Sequence, residues 1–273
     1  MTVRLPLSAA DESGWLRLPF PHPAWMSTRS SGDMRQADNR NRLYARIGVP
    51  ADRVMRLTQV HSRTVLAAED LVRPREAGPG NRDRDLAPAR DPQRDPDPNP
   101  DPGPDPLATP PEGDGLVSAR GGPYLAVGVG DCMPIVLCDL RTGAYAALHS
   151  GWRGTGILAA GLDEMRVRYG TDPTDVVALF GPCISGESYE VDEARGEEYR
   201  RWGPGAVVQR GDRPYLDMRA ANLELARRAG IGSVVVADNC TFQTPQLGSF
   251  RRDGSGYAGM LVIVGPRDRE EGS

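Results

Sequence analysis

From about residue 73 to residue 112 the chain is almost entirely Pro, Asp, Arg, Gly and Asn, densest over Asp91-Pro92-Gln93-Arg94-Asp95-Pro96-Asp97-Pro98-Asn99-Pro100-Asp101-Pro102. Proline removes backbone donors, and so few apolar side chains cannot offset the entropy lost on ordering. No core can be drawn from these residues, so the fold has to be assembled from the segments before and after them. The tract is expected as a disordered insertion within one domain spanning 1–273, not as a hinge between two. A partner-binding polyproline segment would present aromatic or aliphatic anchors, and this one lacks them.

On either side, strand and helix patterns alternate. Residues 35–48 have helical composition and stop at Gly48, ahead of Val49-Pro50. Residues 54–66 and 123–129 read as strands. Two more, 134–139 and 144–148, are joined by a turn at Arg141-Thr142-Gly143. Gly154-Thr155-Gly156 then opens a helix that runs through Tyr169 and ends at Gly170. Residues 175–180, 234–236 and 260–264 are further strands, and 192–202 and 217–229 further helices. Hairpin-like neighbours without a strict strand-helix-strand repeat predict an α/β (α+β) fold, a mixed sheet flanked by helices.

Composition narrows the chemistry. A net charge of −4 favours neither nucleic acid nor an anionic membrane as partner. Every basic residue is Arg, so Schiff-base and lysine-base mechanisms are excluded. Cys132, Cys138, Cys183 and Cys240 have no paired spacing and read as reduced thiols. Met1-Thr2-Val3-Arg4-Leu5-Pro6 has no sustained apolar run, and no segment approaches a membrane span. A soluble, cytoplasmic monomer is the expectation.

The chain has only three histidines. His61 closes Gln59-Val60-His61, and His149 opens His149-Ser150-Gly151-Trp152-Arg153-Gly154. Between them lies Gly130-Asp131-Cys132-Met133-Pro134. Cys132 and His149 flank one predicted hairpin, seventeen residues apart, and a hairpin returns the chain near its starting edge. Spacing alone does not place His61. Two imidazoles and a thiol suffice for a three-ligand metal site with an open fourth position, or for a Cys/His nucleophilic pair. Cys138 and Cys183 read as small buried hydrophobes, and His22, between two prolines, as a surface residue. Arg153, at the expected helix start, could join free helix amides in an anion cradle or simply face solvent. Arg251-Arg252 could bind phosphate or pair with Asp253.

At these residues the chain resembles a known family. It is variously called multicopper polyphenol oxidase, laccase-domain or YfiH-type purine nucleoside phosphorylase proteins. The matches run in order: Met26-Ser27-Thr28-Arg29, Gln59-Val60-His61-Ser62, Asp114-Gly115-Leu116-Val117-Ser118, Asp131-Cys132-Met133-Pro134 and His149-Ser150-Gly151-Trp152-Arg153-Gly154. Then come Gly181-Pro182-Cys183-Ile184 with Tyr189-Glu190-Val191, and Asn239-Cys240-Thr241 with Ser249-Phe250-Arg251-Arg252-Asp253-Gly254. The chain departs from the family where Ser30-Ser31-Gly32-Asp33-Met34 shortens a Gly/Ser/Asn-rich stretch, at Val129-Gly130, at Leu247-Gly248 and near Tyr257.

The resemblance implies a single α/β domain with a mixed sheet, and a metal on His61, Cys132 and His149. It also implies phosphorolysis of purine nucleosides and, in several members, adenosine deamination. The resulting expectation is a zinc enzyme in which His61, Cys132, His149 and Asp131 are catalytic, with Asp131 a proton shuttle or a partner of the ligands. Arg153, with Arg29 and Arg252, is expected to hold phosphate. A copper-dependent polyphenol oxidase ranks second, because three histidines cannot build both a mononuclear site and a trinuclear cluster. A metal-free hydrolase with Cys132 as nucleophile and His149 as base is a further alternative.

Overall fold

In the computed structural model, which describes residues 1–5, 14–72 and 110–267, two sheets stack face to face. The larger runs, edge to edge, through β1 (Thr2–Leu5), β13 (Ser233–Ala237), β10 (Val176–Phe180), β8 (Met133–Asp139), β9 (Tyr145–Ser150), β6 (Gly115–Ser118) and β5 (Val65–Ala67). The smaller runs through β2 (Trp15–Arg17), β3 (Ala24–Ser27), β14 (Met260–Val264), β7 (Tyr124–Val129) and β4 (Val54–Met55). A separate hairpin joins β11 (Val207–Arg210) to β12 (Arg213–Leu216). Both sheets are mixed: β1, β13 and β10 are mutually parallel, as are β5 with β6 and β4 with β7, and the other pairings are antiparallel.

Strands β8 and β9 are buried at every position, as befits sheet covered on both faces. On one face, Ile157, Leu158 and Met165 of α3 (Ile157–Tyr169), with Met218 and Ala221 of α5 (Met218–Ala229), pack on Ile135, Leu137 and Leu148. On the other, Val136, Tyr145 and Leu179 meet Met26, Leu125 and Val262 of the smaller sheet. Burying one such side chain contributes about 1.5–3 kcal/mol. The alternation of β7 sends Leu125 and Val127 between the sheets. Ala126 turns outward to Leu43 and Tyr44 of α1 (Ala37–Arg46). Short helices α2 (Ala68–Val72), α4 (Glu193–Tyr199) and α6 (Phe250–Asp253) complete the chain. Helix α3 stops where expected, at Gly170, whose φ of 66° is left-handed and whose N–H donates to Arg166 O.

The expected mixed α/β fold with flanking helices is present, its strands divided between two stacked sheets because β7 and β14 bury one face against β8 and β9 and the other against α1. Two expectations change. The strand expected over residues 54–66 is two short pieces, β4 and β5, separated by a loop whose amides bond a buried carboxylate instead of a neighbouring strand. His22 is buried: its ring lies 4.9 Å from that of Tyr145, and its Nδ1 donates to Gly265 O at 2.9 Å. The Pro/Asp-rich insertion, residues 73–109, lies outside the described residues.

Candidate metal centre

The hairpin β8–β9 sets two members of the site. Its register opposes Met133 to Ser150 and Pro134 to His149, so Cys132, one residue before β8, stands beside His149 at the same sheet end. His61 comes from the loop between β4 and β5. Its φ of 59° is the sole positive value of any non-glycine among the described residues. A left-handed backbone with a Cβ costs about 1–2 kcal/mol, so something has to hold it there.

That group is Asp114, fully buried just before β6. One carboxylate oxygen accepts from His61 N at 3.0 Å and from His149 Nδ1 at 2.8 Å. The other accepts from Val60 N (3.2 Å), Ser62 N (2.6 Å) and Ser62 Oγ (2.8 Å). Burial alone would raise its pKa, but donation by His149 and Ser62 outweighs it and holds the carboxyl well below the usual range. With Nδ1 donating to the carboxylate, His149 keeps Nε2 for the site.

The possible ligand atoms of His61, Cys132 and His149 all lie within 4.8 Å of one another. The two rings meet edge to face, with centroids 4.9 Å apart. Burial pushes the Cys132 thiol up, but the facing His149 and His61 imidazoles pull it down to about 6. Burial lowers His149, yet the Cys132 and Asp114 charges raise it. These opposed shifts favour a thiolate beside a protonated imidazole; a metal would keep the thiolate and displace the imidazole proton. A Cβ added at Gly151 would sit 2.9 Å from Cys132 Sγ and 3.1 Å from His61 Cδ2, so this backbone approaches as closely as only glycine permits. The donor set and the space between its members therefore fit a metal ion. Cys138 and Cys183, by contrast, are pushed up to about 12 by burial, as inert core thiols.

The trio opens onto a cavity of about 940 Å³. Its wall carries Arg35, Arg40, Arg56, Arg153, Arg195 and Arg251, against one carboxylate, Asp131. Arg153 and Arg195 stack on Trp152, at 5.0 and 4.7 Å from the ring centroid, and Arg251 stacks on Tyr189 at 5.2 Å.

Of the expected anion binders, the cavity takes in Arg153 but not Arg29 or Arg252. Arg29 pairs with Asp253 at 3.6 Å. Arg252 donates to the carbonyls of Thr241, Phe242, Thr244 and Leu247 and pairs with Asp253, which saturates its fork. The helix start also differs: α3 begins at Ile157, whose N–H donates to Gly154 O, and a Cβ on Gly156 would meet Trp202 at 2.9 Å, so its N-terminus is covered. Asp131 lines the cavity with its carboxylate engaged by Thr241 Oγ1 (2.7 Å) and Arg251 N (2.6 Å); the partner of both histidines is Asp114 instead. Asp114 was missed because a carboxylate heading an apolar strand looks like the end of the acidic tract before it. Its sequence signal is its place at the head of the matched segment Asp114-Gly115-Leu116-Val117-Ser118. Arg56 and Arg195 carry no sequence signal at all.

Sequence comparison finds relatives of similar length. A purine nucleoside phosphorylase of Deinococcus radiodurans is 33% identical over 247 residues, covering 90% of this chain and 83% of that protein. One from Corynebacterium glutamicum is 32% identical, over 85% of this chain and 82% of that protein. Among solved structures, YlmD from Geobacillus stearothermophilus superposes with a TM-score of 0.78 at 24% identity, covering 97% of this chain and all of that one. Bacillus licheniformis YfiH gives 0.71 at 21% identity, over 92% and 98% of the two chains. These neighbours share the mixed α/β fold with helices flanking the sheet.

The family model that matches residues 26–265 is described as multi-copper polyphenol oxidoreductase laccase. It overturns the expected preference for zinc over copper. The histidine count argues against several copper centres in one chain but says nothing against a single copper, and two imidazoles with a thiolate suit that ion. A model matched over all but the chain's ends, and relatives a third identical along most of their length, leave one assignment: the chain belongs to the multi-copper polyphenol oxidoreductase laccase family, alongside relatives named purine nucleoside phosphorylases.

Proposed function

We propose that the chain cleaves purine nucleosides of the adenosine, inosine and guanosine type with phosphate, and also deaminates adenosine. The observation that carries this reading is the arginine-lined cavity opening on the His61, Cys132 and His149 trio; the names of its relatives support it. Arg153 and Arg251 hold the phosphate dianion by charge-assisted hydrogen bonds, aimed at the ribose anomeric carbon. Trp152 and Tyr189, stiffened by the stacked guanidiniums, offer faces for the purine ring. A C–O bond forms to phosphate as the C–N bond to the base breaks, and the base leaves with the electron pair and gains a proton. In this reading Asp131, which accepts from Thr241 Oγ1 and Arg251 N, relays that proton. A metal ion held by the trio supplies a Lewis acid at the same wall. Arg153→Ala should raise the phosphate requirement about ten- to a hundredfold, while deamination, which uses water, falls much less. A phosphate titration of base release, run beside a deamination assay on one preparation, tests this. An unchanged phosphate dependence would remove Arg153 from the anion site.

A second reading, copper-dependent oxidation of phenols, is favoured by one observation, the description of the matching family, which also puts it ahead on the identity of the metal. Oxygen uptake by copper-loaded protein with a phenol, compared with a Cys132→Ala variant, separates the two.

A further inference from the structure

Gly130 is glycine for the sake of one ring. Its φ is not among the positive values, so the backbone there does not itself require glycine. A Cβ added to it would meet Tyr257, 2.8 Å from Cε2, 3.3 Å from Cδ2 and 3.6 Å from Cζ. The first two fall inside the ~3.5–4.0 Å at which carbons rest against each other. The hydroxyl-bearing half of the ring therefore lies against Gly130, two residues before Cys132. Arg35 holds the same residue. Its guanidinium stacks 4.4 Å from the ring centroid, its Nη2 donates to Tyr257 O at 2.7 Å, and its Nε pairs with Asp33 at 2.9 Å. Asp33 also accepts from Gly259 N at 3.0 Å, which ties down the chain just beyond the tyrosine. The Phe250 ring meets that of Tyr257 at 89°, with centroids 5.6 Å apart. The departures from the family pattern at Gly130 and near Tyr257 are thus one change, because a ring placed here needs a bare backbone at 130.

Such a clamp leaves one atom unexplained. Tyr145, Tyr169, Tyr199 and Tyr215 engage their hydroxyls with Pro123 O, Glu69, Thr155 and Glu190. The Tyr257 hydroxyl has no hydrogen bond with any described residue, and the ring lines the cavity together with Gly130, Asp131 and Cys132. Burial pushes the phenol up. Arg35 opposes this, and the charges of Asp33, Cys132 and Asp131 add to it, so the group keeps its proton. It can then donate a hydrogen bond or accept one at that wall. The guanidinium stacked on the ring is already paired with Asp33, so the contact suits a neutral group better than an anion. A purine nucleoside carries such groups as its ribose hydroxyls and its ring heteroatoms.

We propose that Tyr257 is a substrate-binding residue, positioned by Gly130 and Arg35, whose hydroxyl reads a neutral hydrogen-bonding group of the nucleoside. The class of ligand rests on the nucleoside reading above; the contact between Gly130 and Tyr257 does not. Calorimetric titration of the full chain as purified, with inosine and with hypoxanthine, would compare the parent with Tyr257→Phe. This variant keeps the ring and should keep the melting temperature. Inosine should bind it about three- to tenfold more weakly, the loss of one neutral hydrogen bond. An equal loss for hypoxanthine would place the contact on the base, and an unchanged hypoxanthine affinity would place it on the ribose. Gly130→Ala should lower the melting temperature of the parent by several degrees and that of Tyr257→Ala by little, since the added methyl meets only the ring. Inosine bound equally by the parent and Tyr257→Phe would overturn the role of the hydroxyl. An equal fall in both Gly130→Ala backgrounds would overturn the positioning. No binding of inosine or hypoxanthine to the parent would sink the nucleoside reading and this ligand with it. Binding that depends on the hydroxyl, with no base release, would keep Tyr257 and sink phosphorolysis.

Discussion

Asp114 does the work of two residues at the metal centre. It turns His149 through Nδ1 and holds His61 in a left-handed backbone through three consecutive amides. Carboxylates that orient ligand imidazoles are typically worth about 10–100-fold in metal affinity, and each buried donor left unpaired costs about 1–3 kcal/mol. Asp114→Ala should therefore lower both metal affinity, read by chelator competition, and melting temperature; a variant that kept both would leave His61 held by something else. Cys132 makes a second expectation at this scale. Its thiol is shifted down to about 6, so in metal-free protein the thiolate fraction, and with it the alkylation rate, should rise as pH increases through about 6 instead of about 9. His149→Ala removes the larger of the two imidazole contributions and should return the midpoint toward the ordinary thiol value. A midpoint unmoved by that change would put the cause elsewhere.

Elements differ in how plainly the chain announces them. Strands β8 and β9 are legible because burial on both faces leaves uninterrupted apolar runs, and their hairpin makes Cys132 and His149 neighbours from spacing alone. Helices α3 and α5 are legible from their stops at Gly170 and Gly230. The loop carrying His61 is not, since residues 54–66 are as apolar as a strand, and what breaks the ladder is a carboxylate more than fifty residues away. The role of Arg252 is hidden for the same reason. Paired arginines look like an anion site, whereas the carbonyls that consume Arg252 belong to a segment with no pattern of its own. Arg252→Ala should cost about 2–4 kcal/mol, as charge-assisted bonds and packing are lost together. Its phosphate dependence, measured on the fraction that remains folded, should match the parent. A shifted phosphate dependence with unchanged melting temperature would return Arg252 to the anion site.

For the whole molecule, two sheets and two helical layers enclose three separate apolar clusters. Composition can indicate strands and helices but not that the strands divide between two sheets, because β7 and β14 look alike whichever sheet they join. Among the described residues no helix is long and apolar enough to cross a membrane. At Pro110 and Pro111 the backbone is anchored: their carbonyls accept from Thr58 Oγ1 and Thr58 N. Excision of residues 75–105 spares those anchors, and shortening a connection changes closure entropy by only about a kcal/mol. Melting temperature and metal content should survive it. A large fall in either would assign the excised residues a packing role.

Thr58 pairs with Glu112 as well, and Asp114 follows two residues later. Chain length is therefore policed from Pro110 onward. Along an extended backbone, successive side chains point to opposite faces, so one residue inserted between Glu112 and Asp114 would turn the carboxylate away from the loop at 60–62 and from His149 at once. The cost would fall on no contact near the insertion. It would appear as a protein that folds its hairpin, keeps its thiol, and has no hold on either imidazole.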